Sequence, residues 1–170
     1  MHEDEKAVLI AYGSNLPTPQ LSASQAFGMV VKNLQDCGLI VNNMSCLWYS
    51  KAWPDPDAPA YHNAVLHVTT DLNPLDLLCL LQELETKSGR VRDGERYASR
   101  KLDLDLIAYG RLELCTETLT IPHPLAHMRA FVMGPLAEIL PKWQHPSLKV
   151  SAQDLYKAAT VGTDAYPLCT

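Results

Sequence analysis

Five cations, Arg90, Arg92, Arg96, Arg100 and Lys101, fall within twelve residues of a chain whose 14 Lys and Arg would place about one there by chance. Directly after them the chain reads Leu102-Asp103-Leu104-Asp105-Leu106-Ile107. On a strand, the leucines would share one face and both aspartates the other, about 7 Å apart along the strand. Aspartate is a poor strand former and adjacent like charges repel, so the pair calls for a compensating ligand. Magnesium meets that need, because it prefers one or two carboxylates plus waters and phosphate oxygens to a closed protein cage. Two such ions would neutralise most of an ATP tail, and guanidinium groups suit the remaining oxygens through paired hydrogen bonds. The combination points to transfer of a phosphoryl-type group. The inert alternative is a solvated strand face whose aspartates pair with nearby arginines.

Neither a Gly-x-x-x-x-Gly-Lys-[Ser/Thr] loop nor a Gly-x-Gly-x-x-Gly fingerprint occurs, so ATP would not be held in either of those ways. Gly13-Ser14-Asn15 would let a ligand approach the backbone closely, or serve only as a turn. His123 and His127 have a spacing compatible with zinc on one helix face. Pro124, however, pushes His123 towards extended geometry, and no third ligand is evident. His123 reads better as a phosphate donor at a helix start, or as a hydrogen-bonding cap. Arg129 is a further phosphate contact or a surface charge. Trp53, Tyr61, Asn63 and Phe131 are the best set for a flat heteroaromatic substrate, since aromatic faces stack on such a ring and an amide offers donor and acceptor to its edge. The plainer reading makes Tyr61 and Phe131 core residues and Asn63 a turn-side amide.

These residues need elements to carry them. Ala7 to Tyr12 reads as a buried strand. Thr18-Pro19 reads as a helix N-cap, with Ala23, Phe27, Val30 and Leu34 at helical spacing until Gly38. Leu39 to Trp53 reads as one strand entering a proline-rich loop, and His62 to Thr70 as a second, paired with it. Asn73-Pro74 caps a second helix with a buried stripe of Leu77, Leu80, Leu81 and Leu84. Gln82 and Glu85 are expected on its other side, and Gly89 at its end. Leu102 to Tyr109 is the next strand. A hairpin to Ile121 and helical turns broken by Gly134-Pro135 follow. Strand, helix, strand, strand, helix, strand is the ferredoxin-like α+β order, with an antiparallel sheet and helices on one face.

The 170 residues, 47% apolar and 19% charged, fit one domain over 1–170. The net charge of −5 and pI near 5.6 argue against nucleic-acid binding by bulk electrostatics. No secretory signal or membrane-length apolar run is seen, so a cytoplasmic protein is expected; small-molecule substrates and a monomer are expected as well. The five cysteines are expected to be reduced thiols, the first four used for packing.

Arg96-Tyr97-Ala98-Ser99-Arg100-Lys101-Leu102-Asp103-Leu104-Asp105-Leu106-Ile107 resembles the signature of the 6-hydroxymethyl-7,8-dihydropterin pyrophosphokinases. Gly13-Ser14-Asn15-Leu16, Tyr61-x-Asn63, Pro122-His123-Pro124 and Arg129-x-Phe131 extend the resemblance, in order, over about Ala7 to Pro146. It implies a ferredoxin-like fold, two magnesium ions, ATP as co-substrate, and attack of a pterin hydroxyl on the β-phosphorus with AMP leaving, a step in folate synthesis. By the same resemblance Asp103 and Asp105 hold the metal, and Arg90 and Arg100 steady the transferring diphosphate. Gln82, Glu85, Arg92, His123 and Arg129 contact ATP, while Tyr61, Asn63 and Phe131 contact the pterin, with Gly13 near it. The arginine-bearing loop is expected to act as a lid. The chain departs from the family at Tyr97, where Trp is common, at Ser50-Lys51-Ala52-Trp53 in place of Thr-Pro-Pro, and at Leu125, where Arg is frequent. A non-catalytic ferredoxin-like module and a two-metal nuclease are the competing classes; the acidic pI and lack of further carboxylate clusters weigh against the nuclease.

Overall fold

The structure is a computed structural model and describes residues 6–15, 21–52, 55–88 and 102–169. Its elements run β1 (Val8–Ser14), α1 (Ala23–Asp36), β2 (Ile40–Met44), β3 (Trp48–Ser50), β4 (Tyr61–Thr69), α2 (Pro74–Lys87), β5 (Asp103–Tyr109), β6 (Leu114–Cys115), β7 (Thr120–Ile121), a 3₁₀ turn (Ala126–Met128), α3 (Ala130–Ile139), α4 (Ala152–Ala158) and β8 (Tyr166–Pro167). The main sheet has the order β5-β1-β4-β3-β8, with β2 also on β4, and every pairing is antiparallel. With β2 and β3 taken as one interrupted strand, this is the ferredoxin-like α+β arrangement. The hairpin expected before Ile121 is β6–β7.

Alternation along β1 explains the layers. Val8, Ile10 and Tyr12 turn to one face, where Phe27, Val30 and Leu34 of α1 and Leu77, Leu81 and Leu84 of α2 cover them. Ala7 and Leu9 turn to the other, against Val132, Met133 and Leu136 of α3, Trp143, and Leu155 of α4. The α1–α2 face is the one expected; the C-terminal helices add a second covered face. A central strand buried on both sides reads as an unbroken apolar run, as Ala7 to Tyr12 does.

Several local expectations are corrected. α1 starts at Ala23 with Ser22 as its N-cap: Ser22 Oγ accepts from Gln25 N while the Gln25 side chain accepts from Ser22 N, a capping box. Thr18-Pro19, where the cap was expected, lies outside the described residues. α2 is capped by Asn73, as expected, and runs to Lys87, with the Ser88 N–H at its C-cap bonded to Leu84 O; Gly89, expected at its end, lies outside the described residues. Leu80 on that helix is half-buried. The single strand expected over Leu39 to Trp53 breaks into β2 and β3, because Ser45 Oγ takes the Val65 N–H in place of a strand carbonyl. Gly134-Pro135 does not break the helix that contains it. Pro135 sits inside α3, forgoing one backbone bond, and a β-carbon on Gly134 would lie 2.5 Å from Trp48 Cζ3, so the glycine lets α3 press onto β3. Glu138 of α3 then accepts from Trp48 Nε1 and Cys46 N, each at 2.8 Å.

The cysteine expectation also fails. Cys46 and Cys169, 123 residues apart, form a disulfide with Cα atoms 5.9 Å apart. The pairing of β8 with β3 brings them together, which spacing along the chain could not reveal. Cys37, Cys79 and Cys115 are free and exposed, not packed. No helix of the described residues is long and apolar enough to cross a membrane.

His145 offers a test of the packing beside α4. It is 7% exposed, and its Nδ1 accepts from Ser147 N and Leu148 N at 3.3 and 3.2 Å. Burial lowers its pKa below the usual value, with His127 and Lys149 acting the same way and Glu113 opposing. A histidine depressed in the folded state binds fewer protons than in the unfolded chain. Its contribution is therefore complete above about pH 6.5 and is lost as pH falls through the folded value. His145→Asn, whose Oδ1 can accept the same two N–H groups, is expected to flatten the fall in Tm between about pH 7.5 and 5.5. Parallel Tm–pH curves for the two proteins would contradict this.

Candidate active site

Strand register assembles the site. Asp103 of β5, Gly13 of β1 and Asn63 of β4 stand directly across from one another, and Asp105, Ala11 and Val65 form the next such row. On the α3 side of the sheet, aliphatic side chains line the lower part of these strands and small or polar ones the upper end. A cavity of about 420 Å³ opens there, within the range of small-molecule sites. Asp103, Asp105, Gly13, Tyr61, Asn63, Arg129 and Phe131 all line it. Leu102, Leu104 and Leu106 pack into the opposite core, so the leucines and the aspartates occupy opposite faces.

Each wall has a structural cause. Asn63 is 5% exposed and donates from Nδ2 to Ser50 Oγ at 2.9 Å, which sets the plane of its amide. A β-carbon on Gly13 would lie 3.7 Å from Asn63 Oδ1 and 3.9 Å from Tyr61 Cδ1, ordinary contacts that the fold would tolerate. What glycine preserves is space in the cavity. Arg129 closes the 3₁₀ turn and starts α3, with its Cζ 5.9 Å from the centre of the Phe131 ring. Both aromatic residues thus line the cavity and are not simple core.

His123 lies between β7 and the 3₁₀ turn, outside any helix. Its N–H bonds to Ile107 O and its Nδ1 accepts from Leu125 N, so the capping reading holds. Burial pulls its pKa down; the Asp105 carboxylate pushes it up, and Arg129 and His127 push it down. The imidazole is therefore within electrostatic reach of Asp105, while His123 lines a separate cleft with His127 and His145. Among the described residues these histidines form no group of three metal-ligating side chains.

Glu85 corrects another expectation. It does not share an exposed side with Gln82: Gln82 is exposed, but Glu85 is 3% exposed and accepts from Leu104 N at 2.8 Å. β5 is the outer strand of the sheet, and this carboxylate takes an N–H located between the two aspartates. Trp53, Arg90, Arg92, Arg100 and the expected lid lie outside the described residues. Sequence reasoning missed Ser50, Met128, Val132 and Val161 in the cavity wall. Ser50 had a signal, as the end of a strand facing Tyr61; Val161, thirty residues after Phe131, had none.

Fold and cavity define a ferredoxin-like α+β protein with an acidic pair beside an aromatic-walled, small-molecule pocket. The family model for 7,8-dihydro-6-hydroxymethylpterin-pyrophosphokinase matches residues 9–141, and the chain belongs to that family. A 2-amino-4-hydroxy-6-hydroxymethyldihydropteridine pyrophosphokinase of Haemophilus influenzae is 43% identical over 132 residues, covering 76% of this chain and 79% of the relative. A folate synthesis bifunctional protein of Arabidopsis thaliana is 35% identical over 78% of this chain, which spans only 27% of that protein's length. The crystal structure of Plasmodium falciparum HPPK-DHPS with pteroate superimposes with a TM-score of 0.69 at 13% identity, covering 89% of this chain and 42% of the other, a likeness of fold.

The Gly13 geometry yields a prediction. Gly13→Ala should fold normally, since its new contacts are ordinary, yet bind a flat heteroaromatic ligand at least about tenfold more weakly because a methyl group occupies the cavity. Circular dichroism and ligand titration would check both halves; unchanged affinity would count against the pocket as the ring's seat.

Proposed function

We propose that the chain transfers the β,γ-diphosphate of ATP to the hydroxymethyl oxygen of 6-hydroxymethyl-7,8-dihydropterin, releasing AMP, as a step of folate synthesis. The observation that carries this reading is one cavity lined by Asp103 and Asp105 at one end and by Tyr61, Asn63 and Phe131 around the rest. The hydroxyl oxygen forms a bond to the β-phosphorus, the bond from that phosphorus to the α,β-bridging oxygen breaks, and the hydroxyl proton is lost to solvent. Such a reaction depends on alignment and on charge neutralisation more than on a dedicated base.

The roles follow from placement. Tyr61 and Phe131 hold the pterin faces, and Asn63, its amide plane set by Ser50, reads the ring edge. Gly13 leaves the ring room. The donor set of Asp103 and Asp105, two hard carboxylate oxygen ligands on one strand face, fits magnesium. When bound, magnesium supplies neutralising charge for the phosphate oxygens; we expect two ions. Glu85 holds the strand beneath these carboxylates. Arg129, on the cavity wall, and His123, close to Asp105, are suited to ATP oxygens at the acidic end, and we assign Gln82 an ATP contact as well. Arg90 and Arg100 supply cations to the transferring diphosphate and Arg92 to ATP, a reading that rests on their sequence positions, as does the assignment of Trp53 to the pterin. The chain is read as a single cytoplasmic domain, 1–170, that works as a monomer.

Incubation with ATP, magnesium and the dihydropterin is expected to release AMP. Release of ADP, or ATP binding without any product, would favour a different transferase or a non-catalytic nucleotide-binding module. Asp103→Ala and Asp105→Ala should each lower kcat by about 10³-fold or more, the scale of several kcal/mol of charge stabilisation, with the circular dichroism spectrum retained. Near-normal turnover in either variant would remove the metal-ligand assignment.

A further inference from the structure

The family match ends at residue 141, yet Val161, well beyond it, lies in the cavity wall. Val161 lines the cavity beside Met128, Arg129 and Phe131. Main-chain bonds hold it there: Thr160 N and Val161 N both donate to Met128 O at 3.0 Å, and Ala130 N donates to Val161 O at 2.8 Å. Gly162 follows with φ +66°, a left-handed conformation that favours glycine. A β-carbon at this position would overlap Phe131 Cδ1 and lie 2.8 Å from its Cε1, so the bare glycine abuts one side of the ring.

Beyond that point the segment crosses to the other wall. Asp164 Oδ2 accepts from Lys51 N at 2.7 Å, directly after Ser50. Tyr166 and Pro167 pair with Tyr49 and Trp48, and the Tyr49 and Tyr166 rings stand 5.3 Å apart. Leu168 N donates to Leu47 O at 2.8 Å, and Cys169 is bonded to Cys46. One continuous segment therefore grips the start of α3, which carries Arg129 and Phe131, and the β3 strand, which ends at the Ser50 that orients Asn63.

We infer that Val161–Cys169 is a positioning strap for the aromatic pocket, in which Gly162 sets the Phe131 ring and Asp164 sets the Ser50 end. The inference rests on reading this cavity as the dihydropterin site. Any side chain at 162 must displace the ring from its setting, and ring placement bears on the stacked substrate, whereas Asp103 and Asp105 stand on β5, at the opposite end of the sheet order from β8. Gly162 and Asp164 are thus positioning residues, and their removal should separate affinity for the pterin from affinity for ATP.

The test uses the full chain, with 6-hydroxymethylpterin as the non-reacting ring probe, followed by fluorescence, and α,β-methylene ATP with magnesium as the nucleotide probe, followed by calorimetry. Gly162→Ala is expected to weaken the pterin by about tenfold and the nucleotide by less than about twofold. In a Phe131→Leu background the same substitution should cost less than about threefold, since no ring remains to be displaced. Asp164→Ala, at an exposed position that adds no atoms, should weaken the pterin by about threefold with the nucleotide unaffected, and it keeps the idea testable if Gly162→Ala does not fold. Unchanged pterin affinity in these variants, or equal losses for both ligands, would overturn the strap. So would a Gly162→Ala penalty that persists undiminished beside Phe131→Leu, because backbone strain would then explain it. A wild-type chain that binds no pterin would instead overturn the assignment of the cavity, a distinct result.

Discussion

Antiparallel register across β5, β1 and β4 is the constraint on which the rest depends. It sets Asp103, Gly13 and Asn63 abreast, and Asp105, Ala11 and Val65 abreast behind them. Because side chains alternate along a strand, a slip of one residue in β5 would turn both aspartates into the core formed with α1 and α2 and bring the leucines out. The hydrophobic demand of Leu102, Leu104 and Leu106 therefore holds the acidic pair in the cavity. Packing on one face fixes chemistry on the other.

The second constraint is how the polar end of the sheet is kept open. Towards its middle the α3 face is filled by Leu9, Val65 and Ile107 against α3 and α4. At the upper end the same face carries glycine, alanine, an amide and two carboxylates, which cannot fill that space. The cavity is thus where the apolar pattern of one face stops while that of the other continues. Buried polar groups need partners. Asn63 finds Ser50, Leu104 N finds Glu85, and Leu125 N finds His123, so the groups around the pocket are oriented before any ligand arrives.

Much of this was legible in residue order, and the parts that were not fail for definable reasons. The Leu/Asp alternation, the Asn73-Pro74 cap, the strand order and the cavity positions of Tyr61, Asn63 and Phe131 all depend on short-range rules that act within one element or on a recurrent motif. The start of α1 was misread because two cap signals, Thr18-Pro19 and Ser22 with Gln25, compete, and reciprocal bonds favoured the second. Gly134-Pro135 was misread because a glycine and proline ordinarily stop a helix; here contact with Trp48 offsets the lost backbone bond. Glu85 was misread because a charged residue beside a leucine stripe normally faces water, whereas this one satisfies an outer-strand N–H.

Sequence alone determined the acidic pair, its opposition to the leucines, the ferredoxin-like order and the family, since each is written within a few consecutive residues or in their succession. Tertiary structure decided what distant segments share: the covering of the second face by α3 and α4, the Cys46–Cys169 bond, the return of Val161 to the pocket wall and of Gly162 to the Phe131 ring. The physical reason is that periodicity and capping are local properties of the backbone. Contact between positions 131 and 162, or 46 and 169, depends instead on how whole elements stack, and no pattern in the intervening residues encodes it.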